Sequence, residues 1–96
     1  MYSEEEIKKI LKQINWDTTH STEELYKVFR GEVKEAGSVD KTYLYHKILN
    51  GYNWYTVMKI FPREELKNVL SEEVIKRLFP QPLRDKYRYV RRVLFE

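Results

Sequence analysis

Ninety-six residues, 42% of them hydrophobic and 34% charged, make a single small domain with room for one modest core. The absence of cysteine excludes disulfides, thiolate metal sites and thiol nucleophiles, and three glycines with three prolines are few for the tight turns of an all-β fold. The net charge of +3 is unevenly placed: residues 1–75 carry eleven basic and thirteen acidic side chains, whereas residues 76–95 carry seven basic ones against Asp85 alone.

Ser3 with Glu6 reads as a capping box, and Ile7, Ile10, Leu11 and Ile14 recur at helical spacing, which predicts a helix over 4–14. A polar connection containing Trp16 follows. Ser21 with Glu24 gives a second capping box, and Leu25, Val28, Phe29, Val33 and Ala36 predict one long helix that Gly37 terminates. Asp40 is the expected N-cap of a third helix, which presents Leu44, Ile48 and Leu49, has Tyr45 and Tyr52 on neighbouring faces, and ends at Gly51.

Trp54, Val57, Met58 and Phe61 predict a short helix bounded by Pro62. Pro62 itself suits the first turn of the next helix, whose apolar face is Leu66, Val69 and Leu70. Ser71 is the expected cap ahead of Val74, Ile75, Leu78 and Phe79, and the prolines at 80 and 82 then break the chain. A terminal helix over 82–95 is expected to bury Leu83, Tyr87, Val90 and Leu94, spaced i, i+4, i+7 and i+11. The fold class is therefore all-α: a helical bundle of five to six short helices in one domain, 1–96.

Comparing the chain with itself brings out an internal repeat. Lys9-Ile10-Leu11 with Asn15-Trp16 matches Lys47-Ile48-Leu49 with Asn53-Trp54 at an offset of 38. Glu23-Glu24-Leu25, Val28 and Glu32-Val33 then match Glu64-Glu65-Leu66, Val69 and Glu73-Val74 at an offset of 41. The reading is two duplicated helical hairpins, 4–36 and 41–79, plus the terminal helix 82–95. Against it stands the ease with which Lys-, Glu- and Leu-rich amphipathic helices match one another.

Two groups of residues are candidates for contact. At about 100° per residue, Arg84, Arg88, Arg91 and Arg92 fill one arc of the last helix, beside its apolar stripe. A guanidinium fork binds phosphates and carboxylates bidentately, so this arc is read as an anion- or partner-binding face. The competing account is that glutamates of earlier helices neutralise it. Trp16, Trp54 and Tyr55 are the aromatic contact candidates, because Tyr and Trp serve as interface anchors, although such rings also close the ends of small cores. Asp17, His20 and Glu24 are better read as a loop and helix start than as metal ligands, and no metal or cofactor is expected.

No glycine-rich phosphate loop, Gly-x-Ser-x-Gly or His-Glu-x-x-His motif occurs, and the glutamate pairs sit at helix starts, where the macrodipole accounts for them. The expectation is a non-enzymatic binding module with no evident small-molecule substrate, acting in protein–protein interaction or homo-oligomerisation. The alternative is nonspecific nucleic-acid binding through the basic terminal helix. No apolar run is long enough to span a membrane and the N-terminus lacks the pattern of a signal peptide, so the expected location is cytoplasmic. Abundant Lys, Glu and Tyr with only two Gln matches the compositional bias of thermophile proteins.

Overall fold

Local capping chemistry sets where most of the helices begin. The computed structural model describes residues 2–14, 20–37 and 39–95. In α1 (Glu4–Ile14) the Glu6 backbone N–H donates to Ser3 Oγ, and the Ser3 N–H donates to the Glu6 carboxylate, at 3.3 and 3.2 Å. The same reciprocal pair, Ser21 with Glu24, starts α2 (Thr22–Arg30). Asp40 caps α3 (Lys41–Gly51) through the Tyr43 N–H, and Asn53 caps α4 (Trp54–Ile60) through the Thr56 N–H. Each such cap satisfies a donor that the first helical turn cannot. Pro62 is the N-cap of α5 (Arg63–Val69), one position ahead of the first turn where the sequence places it. Ser71 precedes α6 (Glu72–Ile75) with cap-like backbone angles but no side-chain cap bond. The last helix, α7, spans Gln81–Phe95.

Helix accounts for 73% of the described residues, in seven segments, so the chain is predominantly all-α. One expected boundary is corrected. The second helix does not run on to Gly37 but stops at Arg30, because Gly31 takes φ +80°. The Gly31 N–H donates to Val28 O at 3.0 Å and the Glu32 N–H to Lys27 O at 2.9 Å, the paired bonds that close a helix on a left-handed glycine. Val33 is thereby left exposed. The chain goes on to a two-stranded antiparallel ribbon, β1 (Glu35–Ala36) and β2 (Val39–Asp40), with Ala36 opposite Val39. Gly37 serves the turn of this ribbon at φ +61°, where the His20 ring would stand 2.8 Å from any added Cβ. Glycine meets both demands without strain, whereas a side chain here would have to displace the His20 ring.

α3 is the central element and touches α1, α2, α4, α5, α6 and β2. Its Leu44 joins Ile7, Leu11, Leu25, Val28 and Val39 in one core cluster, while Tyr45, Ile48 and Leu49 belong to a second with residues of α4, α5, α6 and α7. A helix buried on two sides has no clean polar face, which is why α3 is less amphipathic than its neighbours. The proposed repeat aligns α1 with α3 and α2 with α5. α1 and α3 are each 11 residues long, but α2 has a side-chain cap and a glycine stop, whereas α5 has neither. Trp16 lies outside the described residues, so its expected equivalence to Trp54 does too.

Candidate functional surface on α4 and α7

α7 is fifteen residues long, yet Tyr87 is its one fully buried side chain. Leu83, Val90 and Leu94, expected to be buried with it, are only partly covered. The reason lies in how the helix is turned. Tyr87 stands on the arginine side of the stripe, so rotating it into the core brings Arg84 and Arg91 inward and leaves Val90 at the rim, while Leu94, about 20° from Tyr87, sits in the last turn of the helix. Trp54 of α4 packs edge-on against Tyr87 with ring centroids 6.2 Å apart.

Three of the four arginines take acceptors within the chain. Arg84 Nε donates to Leu78 O at 2.6 Å, and its Nη1 donates to Gln81 Oε1 at 2.8 Å. Arg88 Nη2 donates to Glu72 Oε1 at 2.6 Å, and Arg91 Nη1 reaches both Glu72 Oε2 at 3.2 Å and Leu70 O at 3.3 Å. Leu70 and Leu78 lie where α5 and α6 end, so these guanidinium groups satisfy carbonyls with no helical partner. Arg88, through its hydrogen bond and then its charge, holds the Glu72 carboxyl below the usual carboxylate range, and Arg91 adds to the effect. Arg92 is exposed and makes no ion pair among the described residues. Arg63, at the start of α5, donates to Leu94 O at 3.4 Å and lies 5.8 Å from the Phe95 ring, which places a cation at the C-terminal end of α7.

The aromatic candidates divide. Tyr55 is 78% exposed, Trp54 is half-buried, and Trp16 falls outside the described residues. Beside Tyr55, the large apolar side chains left exposed on these two helices are Met58 of α4, which the sequence places on the apolar face, at 52%, and Tyr89 and Val93 of α7 at 63% and 62%. Tyr55 and Met58 are three apart on α4, and Tyr89 and Val93 four apart on α7, so each pair shares a face. Where α4, α5 and the end of α7 meet, Trp54, Met58, Leu66 and Leu94 line a groove of about 310 Å³ together with Phe61, Pro62 and Arg63. The 3.6 period of α7 carries the apolar stripe from Leu94 and Val90 on to Val93 and Tyr89. That i, i+4 pair was the available signal. The core stripe of Leu83, Tyr87, Val90 and Leu94 masks it, since those four residues suffice to define an amphipathic helix.

Other candidate chemistry is sparse. His20 Nδ1 lies 3.7 Å from the Glu24 carboxylate, an ordinary i, i+4 contact, and Asp17 is outside the described residues. Among the described residues no three metal-ligating side chains converge, and no helix is long and apolar enough to cross a membrane. No protein-family model matches the chain, no curated protein matches it, and no solved structure matches it.

Proposed function

We propose that this chain is a non-enzymatic helical binding module that docks on another protein chain, a second copy of itself in the first instance, through the exposed faces of α4 and α7. The observation that carries the reading is how many large apolar side chains these two helices leave exposed, Tyr55 and Met58 on α4 and Tyr89 and Val93 on α7, Met58 also lining the groove. Exposed aromatic and Met side chains, with Lys86 and Arg92 on the same terminal helix, have the composition of an interface core with a polar border.

Sedimentation velocity across a concentration series tests it. Self-association is expected in the high micromolar range, and the double substitution Met58→Asp with Val93→Asp should abolish it. Both side chains are solvent-facing, so the helical circular dichroism of the variant should be unchanged. A monomer at every concentration would overturn self-association. The basic-helix alternative draws its support from Lys86 and exposed Arg92, since Glu72 already occupies Arg88 and Arg91. Fluorescence anisotropy with short oligonucleotides at low salt separates the two: phosphate-driven binding would rise steeply as salt falls, and apolar docking would not.

A further inference from the structure

The two core clusters do not close on each other completely. Where they meet, Ile7 of α1, Tyr26, Phe29 and Arg30 of α2, Lys41 and Tyr45 of α3, and Glu65 of α5 surround a cavity of about 350 Å³, with Ile60, Phe61 and Pro62 forming its far wall. This volume lies within the range of small-molecule sites, which favour the seams between packed units. The walls are a chain of touching rings. Tyr26 stacks on Phe29 at 6.3 Å, Phe29 on Phe61 at 5.5 Å, and Tyr45 meets Phe61 edge-on at 5.2 Å.

The polar groups at this cavity are unequally engaged. Glu65 is committed: the buried Tyr45 hydroxyl donates to its carboxylate at 2.6 Å, and Asn68 Nδ2 donates to the same oxygen at 3.4 Å. Arg30 faces the Tyr26 ring at 5.8 Å and Glu32 at 3.6 Å. Lys41 has no carboxylate within ion-pair reach among the described residues, although its side chain is half-buried. Its ammonium lies over Gly31, where an added Cβ would come within 3.1 Å of Nζ. The nearby carbonyls at the end of α2, on Lys27 and Val28, already accept from Gly31 and Glu32. Lys41 also sits in the first turn of α3, the end of a helix at which a cation is disfavoured. A lysine in the cavity wall with no ion pair among the described residues is an arrangement that can fix one anionic group while the rings take an apolar body.

We propose that this cavity binds a small amphipathic monoanion, a flat aromatic carboxylate, with its body against Tyr26, Phe29 and Phe61 and its carboxylate on Lys41, Arg30 closing the mouth. The cavity and the α4–α7 groove have only Phe61 and Pro62 in common among their lining residues, so ligand binding here is tested apart from docking there.

The test is a titration of the intact chain with 2-naphthoate, followed by two-dimensional aromatic and amide NMR, with 2-naphthalenemethanol and 2-naphthylmethylammonium as neutral and cationic controls. Saturable shifts are expected on the rings of Tyr26, Phe29 and Phe61 and on the Lys41 amide. The neutral probe, and naphthoate with Lys41→Gln, should each bind about tenfold or more weakly, as the loss of one charge-assisted contact implies. Should Lys41→Gln disturb folding, Arg30→Gln provides a second variant, expected to weaken binding by a smaller factor in the same direction. Equal binding of the three probes would overturn the proposal. So would shifts confined to Trp54, Met58 and Tyr89, or no saturable shift at millimolar naphthoate.

Discussion

Tyr87 and His46 carry the two buried polar atoms without a hydrogen-bond partner among the described residues, Tyr87 Oη and His46 Nδ1. Burial pushes the Tyr87 phenol above its ordinary value, as expected where an anion would be poorly solvated. A hydroxyl removed from water with nothing to accept its proton gains nothing from being there, whereas the ring beneath it packs on Trp54. Replacing Tyr87 by Phe keeps the ring and removes the orphan. The variant is expected to be more stable by about 1 kcal/mol, read as a rise in Tm of several degrees for a domain of this size. A fall of similar size in thermal denaturation would show that the hydroxyl is satisfied in solution.

At the scale of elements, α7 is held differently from the rest. One fully buried ring contributes about 2–3 kcal/mol of hydrophobic anchoring, the partly covered Leu83, Val90 and Leu94 add to it, and a polar attachment supplements both. Glu72 supplies that attachment to both Arg88 and Arg91 and also stands in the first turn of α6, where a negative charge is favourable. Glu72→Gln should destabilise the protein by about 1 kcal/mol and speed amide hydrogen exchange in α7 more than in α1 or α3, because the change is local to one tether. The starts of helices were legible in the sequence for a physical reason: Ser3–Glu6, Ser21–Glu24 and Asp40 act on their own neighbours within one turn. The end of α2 was misplaced, since an apolar stripe through Val33 and Ala36 outweighed a single glycine whose positive φ no pattern announces. The arginine arc was legible as a cluster but not as a set of contacts. Glu72 is 16 and 19 residues from its partners, and only the tertiary fold brings them together.

For the molecule as a whole, pH offers a check on the central helix. Burial, reinforced by the charges of Arg77 and Lys47, holds the His46 imidazole below its ordinary pKa of 6.5. The unfolded chain therefore takes up this proton more readily than the folded one. Its contribution to stability is fully present above pH 6.5 and is lost as pH falls from there through the lower folded value. Thermal unfolding should show Tm declining between pH 7 and pH 5, before the glutamates begin to titrate, and His46→Gln should flatten that decline. An unchanged slope in the variant would place the sensitivity elsewhere. The attachment of α7 has a consequence of another kind. Five of the chain's eighteen lysines and arginines lie on this one helix, and trypsin cleaves only backbone that has left its helical form. A helix with one buried ring and an ionic clasp opens more readily than α3, which is enclosed on both sides. Salt weakens the clasp and leaves the apolar contacts in place, so raising the ionic strength should shorten the survival of the C-terminal segment under trypsin relative to the rest of the molecule.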